Sequence, residues 1–127
     1  MPVAKKILVV EDEPPVLMML RDRLALEGFD IVTATNGKKA LLSAERENPD
    51  LILLDILLPK VNGFEVLEKI KKNPKTMKIP VIVLTALSQP KNIEMGIRLY
   101  ADKYLVKPVV PNQLVEEIKK TLAVQES

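Results

Sequence analysis

The sequence predicts an α/β fold, a doubly wound parallel sheet of five strands with helices packed on both faces. Three observations carry this. Short apolar runs alternate with segments of helical period. One run, LILL at 51–54, is apolar at every position, as in a strand covered on both sides. The polar residues able to do chemistry stand just beyond the runs, not within them.

The first strand is KILVV at 6–10, and a helix follows over 16–27 with Val16, Leu17, Leu20 and Leu24 at helical spacing, ended by Gly28. DIVTA at 30–34 is the second strand. Asn36-Gly37 opens a helix carrying Ala40, Leu41 and Ala44. LILL, the third strand, leads to a helix over about 63–72 marked by Phe64, Leu67 and Ile70. On its wet face Glu65 with Lys69, and Glu68 with Lys72, have the spacing of ion pairs. PVIVL at 80–84 is the fourth strand. Pro90 suits a first helical position, with Ile93 and Ile97 after it. KYLV at 103–106 is the fifth strand. Pro111 opens a last helix with an inner stripe of Leu114, Ile118 and Leu122, and residues 124–127 are expected to fray. No repeat, low-complexity tract or linker interrupts the five βα units, so 127 residues read as one domain, 1–127, with its core at about 5–123.

Composition removes several functions. With no cysteine and no histidine there are no disulfides, thiolate or imidazole metal sites, Ser-His-Asp chemistry or phosphohistidine on this chain. The 19 basic and 17 acidic residues are mixed, and the only aromatics are Phe29, Phe64, Tyr100 and Tyr104. That is poor material for stacking bases or tracking a phosphate backbone, so direct nucleic-acid binding is not expected. No apolar run approaches a membrane span, and no signal peptide precedes the first strand; a cytoplasmic location is expected.

In open α/β sheets, ligands bind beyond the carboxyl ends of the strands. Here the first strand runs into Glu11 and Asp12, the third into Asp55, the fourth into Thr85 and the fifth into Lys107-Pro108. Any one has an ordinary explanation: an acid at a helix start, a loop acid, a structural hydroxyl, a solvated ammonium. Their coincidence at successive strand ends carries the inference. Carboxylates brought within ~5 Å repel by roughly 3 kcal/mol per pair at an effective dielectric of about 20. A divalent cation removes that penalty, and an all-oxygen set favours Mg²⁺, with Mn²⁺ able to substitute. Mg²⁺ also accepts a phosphoryl oxygen, and Lys107 and Thr85 could serve two more.

These residues, with DILLPKVNG at 55–63, TAL at 85–87 and YLVKP at 104–108, give a sequence that closely resembles the receiver domain of two-component response regulators, from about Lys5 to Leu122. The resemblance implies a flavodoxin-like (βα)5 fold with strand order 2-1-3-4-5. It implies that Asp55 accepts a phosphoryl group from the phosphohistidine of a sensor histidine kinase or phosphotransfer protein. Asp12, Asp55 and the Leu57 carbonyl would hold Mg²⁺, with Glu11 acting through a water. Lys107 would pair with the acyl phosphate, and the Lys107-Pro108 bond would be cis. Thr85 would move toward the phosphoryl group, Ala86 would leave space for it, and Tyr104 would change rotamer and report to a surface of the fourth helix, fifth strand and fifth helix. The domain would catalyse only its own phosphorylation and dephosphorylation, switching contacts with a downstream protein target or separate effector. Dimerisation on phosphorylation and docking of a partner both stay open.

Three positions depart from the family pattern. Leu57 and Leu87 stand where polar residues are frequent and should hinder an attacking water, so slow autodephosphorylation is expected. Tyr100 replaces a common glycine, which puts the packing of the fourth helix in question. Glu11 replaces aspartate conservatively. Two other functions fit less well. An aspartyl-phosphate phosphohydrolase would want a second acid after Asp55, where Ile56, Leu57 and Leu58 stand. A phosphorylation-independent interaction module would not need every acid, Thr85 and Lys107. The chain ends about 20 residues after Lys107, so a stand-alone receiver and a piece of a longer protein are both expected possibilities.

Overall fold

A computed structural model describes residues 3–126. Ten elements alternate along the chain: β1 (Lys6–Val10), α1 (Pro14–Leu26), β2 (Asp30–Ala34), α2 (Gly37–Glu47), β3 (Leu51–Leu54), α3 (Gly63–Lys72), β4 (Val81–Thr85), α4 (Pro90–Arg98), β5 (Lys103–Val106) and α5 (Pro111–Glu126). The strands pair in parallel in the order β2-β1-β3-β4-β5, the flavodoxin-like arrangement.

Alternation along each strand divides the core. Leu8, Val10, Ile52, Leu54, Val81 and Val83 face one side, with Ala40 and Ala44 of α2 and Val66, Leu67 and Ile70 of α3. Ile7, Val9, Leu51, Leu53, Ile82 and Leu84 face the other, against Leu20 and Leu24 of α1 and Leu114, Ile118 and Leu122 of α5. Both faces of β1, β3 and β4 are therefore dry, which is why their sequences are continuously apolar. Each large aliphatic side chain buried in this way contributes about 1.5–3 kcal/mol.

Several element ends differ from the sequence reading for identifiable reasons. Helix α1 begins at Pro14, not residue 16, because proline is tolerated where the first-turn N–H groups have no helical partner anyway. Strand β4 runs from Val81 to Thr85 because Pro80 has no N–H to give the ladder; its carbonyl still accepts from Ile52 N at 2.9 Å. Glu68 and Lys72 pair at 3.5 Å, whereas Glu65 and Lys69 form no ion pair among the described residues. Helix α5 continues through Glu126, where fraying from 124 was expected, since Val124 and Gln125 carry no helix-breaking feature. Ser127 lies outside the described residues.

The largest departure is at the end of α4. Ile97 is exposed and Gly96 is the buried position, so Ile97 lies on the outer side of α4. Tyr100, one residue past the Leu99 cap, has φ +69°, a left-handed conformation suited to glycine. Tyr100→Gly is expected to raise stability by about 0.5–1 kcal/mol, relief of backbone strain exceeding the greater entropy of glycine in the unfolded chain. Urea denaturation of both proteins checks this, and a destabilised variant would show that the ring makes compensating contacts.

Candidate functional site

The carboxyl ends of β1 and β3 lie side by side at the centre of the sheet, and the loops leaving them build an acidic cluster. Glu11 and Asp12 follow β1, and Asp55 follows β3. Backbone bonds from Glu11 N to Ala34 O and from Asp55 N to Val10 O, both 3.1 Å, extend the sheet into the site and fix these residues. One carboxylate oxygen from each of Glu11, Asp12 and Asp55 lies within 4.8 Å of the others. Glu11 and Asp55 are buried, at 1% and 5% exposure; Asp12 is partly open.

The loop after Asp55 is held tightly. Leu57 N donates to Asp55 Oδ1 at 3.0 Å, and Gly63 N to Ile56 O at 3.0 Å. A Cβ on Gly63 would lie 2.4 Å from Ile56 Cα, so only glycine lets α3 start this close to the site. Asn62 caps α3 by accepting from Phe64 N at 2.9 Å, and Leu57 bridges to Asn62. Leu57 itself is half exposed at the rim.

Lys107 directly follows β5, and the Lys107-Pro108 bond after it is cis. Its Nζ donates to Glu11 Oε1 at 2.6 Å and to Asp55 Oδ2 at 2.9 Å. The other Glu11 oxygen accepts from Glu13 N at 3.2 Å. Three carboxylates thus face one ammonium, and Asp12 has no ion-pair partner among the described residues. Burial raises the Glu11 pKa, and hydrogen bonds from Lys107 and Glu13 only partly reverse this. Burial works against the Lys107 charge, but its bonds to Glu11 and Asp55 and their charges outweigh it and raise its pKa. Both shifts are upward. Each group therefore contributes stability that is fully present below its unfolded pKa and lost as pH rises through its folded value, Glu11 from 4.5 upward and Lys107 above 10.5.

The remaining expected residues fall on the neighbouring strand ends. Thr85 is fully buried at the end of β4, and Leu87 N donates to its Oγ1 at 3.4 Å; Ala86 between them is exposed. Tyr104 is partly buried against the α2–α3 side of the core, its hydroxyl donating to Leu87 O at 2.8 Å. Burial and the nearby Asp55 charge raise its pKa. The Leu87 carbonyl is thus a contact between the Thr85 loop and Tyr104, one that side-chain chemistry could not signal. Gly96 is a second. A Cβ there would come within 2.7 Å of the Tyr104 ring, so glycine at this point of α4 makes room for the observed rotamer.

The fold and cluster can be set beside known proteins. The response regulator receiver domain family matches residues 7–119. The chain belongs to that family. A CheY-like receiver domain protein from Methanospirillum hungatei JF-1 is 34% identical with a TM-score of 0.92, 98% of each chain being covered. The BeF3-activated N-terminal receiver domain of Klebsiella pneumoniae RstA is 30% identical, with a TM-score of 0.87 over 93% of this chain and 98% of that one. Among curated proteins, the alkaline phosphatase synthesis transcriptional regulatory protein PhoP of Bacillus subtilis is 39% identical over 118 residues, 93% of this chain and 48% of PhoP. The phosphate regulon transcriptional regulatory protein PhoB of Pseudomonas aeruginosa is 38% identical over 120 residues, covering 94% and 52%. This receiver domain spans about half the length of the curated relatives it matches. Its role is that of a phosphoacceptor domain of two-component signalling. Its acidic cluster is one that could hold a metal ion, and no helix among the described residues is long and apolar enough to cross a membrane.

Proposed function

We propose that Asp55 is the phosphoacceptor, that residues 1–127 act as one receiver domain, and that Mg²⁺ is the metal it uses. The observation that carries this reading is the convergence of Glu11, Asp12 and Asp55 on one point with Lys107 against two of them. The donor set fits the ion. It is all oxygen, and among the described residues Asp12 has no ion-pair partner. Asp12, Asp55 and the Leu57 carbonyl would hold the metal, and Glu11, both of whose oxygens already accept hydrogen bonds, would act through a water. When bound, Mg²⁺ supplies Lewis acidity and neutralises phosphoryl charge.

The protein's own groups do the rest. An Asp55 oxygen forms the new P–O bond as the P–N bond of a partner's phosphohistidine breaks, and the imidazole nitrogen keeps the electron pair. Such a transfer is loose and charge-rich, so positioning and charge neutralisation are what the site must supply. Leu57 N fixes the Asp55 carboxylate, and Lys107 exchanges its Asp55 contact for a phosphoryl oxygen. Thr85 donates to another oxygen after leaving the Leu87 amide, and Ala86 gives it room. Leu87 links that movement to Tyr104, whose rotamer alters the α4–β5–α5 surface read by a downstream protein or effector. The partners are a sensor histidine kinase or phosphotransfer protein on one side and that target on the other. The names of PhoP and PhoB, transcriptional regulators, are consistent with an effector of that kind.

Incubation with Mg²⁺ and acetyl phosphate, followed by intact mass spectrometry, is expected to give a single alkali-labile phosphoryl adduct absent from Asp55→Asn. No adduct under conditions that label another receiver would refute the assignment. Leu57 and Leu87 are apolar where receivers frequently carry polar residues beside the phosphoryl group, so the adduct should decay slowly. Leu57→Asn with Leu87→Glu is expected to shorten its half-life by about tenfold, since water then gains polar partners beside the phosphoryl group. Equal decay in both proteins would show that these leucines do not exclude water.

A further inference from the structure

Lys107 has two acidic partners, and phosphoryl transfer to Asp55 would replace only one of them. Its Nζ lies 2.9 Å from Asp55 Oδ2 and 2.6 Å from Glu11 Oε1. The Asp55 contact gives way to a phosphoryl oxygen, whereas Glu11 is the same group before and after the reaction. The Lys107 backbone is fixed, its N donating to Thr85 O at 2.8 Å. The stem beyond it is long and loses much rotamer freedom when its ammonium is held in one place. Something must hold that ammonium while its other partner changes.

Glu11 has the geometry for this task. It is 1% exposed, and its N donates to Ala34 O at 3.1 Å, which continues β1 into the site. Its Oε2 accepts from Glu13 N at 3.2 Å, so the carboxylate is itself anchored and Oε1 is turned to Lys107. An aspartate, shorter by one bond of about 1.5 Å, could not keep both contacts from the same backbone position. An ammonium has three N–H donors, and Glu11 and Asp55 take two of them. One donor is thus available to an arriving phosphoryl oxygen while Glu11 keeps its own. We propose that Glu11 is a positioning residue for Lys107, holding the ammonium beside Asp55 throughout phosphoryl transfer, a task separate from any contact with Mg²⁺. The inference rests on Asp55 being the phosphoacceptor. Its advantage is preorganisation, since the neutralising charge need not be recruited as the transfer proceeds.

The test is a double-mutant cycle on the full chain. Parent, Glu11→Gln, Lys107→Ala and the double variant are phosphorylated by acetyl phosphate at saturating Mg²⁺, which removes differences in metal affinity. Glu11→Gln is expected to slow phosphorylation by about tenfold in the parent and by less than about twofold in Lys107→Ala, where no ammonium is left to position. An equal loss in both backgrounds would overturn the proposal and leave Glu11 with the metal alone. Unchanged or faster phosphorylation in Glu11→Gln would overturn it as well. A second readout needs no reaction and covers the case in which Lys107→Ala does not fold. In the metal-free ¹⁵N-labelled parent, the Lys107 ammonium is expected to give a ¹H–¹⁵N signal protected from exchange, lost in Glu11→Gln and kept in Asp55→Asn. No such signal in the parent, or one that survives Glu11→Gln, would refute the tether. If the parent accepts no phosphoryl group, the Asp55 assignment fails by itself, and the ammonium signal still decides whether Glu11 holds Lys107.

Discussion

Lys107→Ala is expected to lower stability by about 3 kcal/mol near neutral pH, with Mg²⁺ restoring part of the loss. The Lys107 ammonium lies 2.6 Å from Glu11 and 2.9 Å from Asp55, and both carboxylates are almost fully buried. Removing it leaves two charges that have no other cation among the described residues and cannot reach water. The side chain of Lys107 is 21% exposed, so solvent screens the pair little. The same substitution should slow phosphorylation by acetyl phosphate by about 10²–10³, because charge developing on the phosphoryl oxygens loses one of its neutralising groups. Chemical denaturation with EDTA or Mg²⁺ measures the first effect and timed mass spectra the second. A variant as stable as the parent in EDTA would mean that the ammonium does not offset the burial of these carboxylates.

Asp12→Asn should act in the opposite sense on the free protein. Asp12 adds a third negative charge to a cluster that holds one positive charge, and it has no ion-pair partner among the described residues. Its removal is expected to raise metal-free stability by about 1 kcal/mol, less than the roughly 3 kcal/mol of a fully buried pair because Asp12 is partly open to solvent. The stabilisation that Mg²⁺ gives the parent should disappear with it. Phosphorylation should fall by about 10² or more. Thermal melts with and without Mg²⁺ provide the check; a variant that loses metal-free stability and keeps its response to Mg²⁺ would remove Asp12 from the metal site.

Much of this was legible in the sequence because strand and helix carry different periods and a doubly wound sheet puts its chemistry at strand ends. Glu11, Asp12, Asp55, Thr85 and Lys107 could be located by reading only those ends, and the structure brings them to one edge of the sheet. What stayed hidden depends on close approach between backbones, which periodicity does not encode. Gly63 against Ile56 and Gly96 against Tyr104 are such cases. The Leu87 carbonyl, which takes the Tyr104 hydroxyl, is another, since every residue has a carbonyl. The exposure of Ile97 was hidden for a different reason. Helix α4 spans nine residues and buries only Gly96, so its aliphatic spacing marks an outer surface instead of the core. Tyr100 could be noticed in the sequence as a substitution for glycine, but its consequence, φ +69° with an uncovered ring, needed the structure.

One chemical measurement tests directly whether Asp55 is the phosphoryl-accepting nucleophile. Protein treated with acetyl phosphate and Mg²⁺ is reduced with borohydride, which converts an aspartyl phosphate to homoserine, then digested and sequenced by mass spectrometry. Homoserine is expected at position 55, with unmodified aspartate at positions 12 and 50. Homoserine at either of those positions, or at none while the intact protein carries a phosphoryl group, would contradict it.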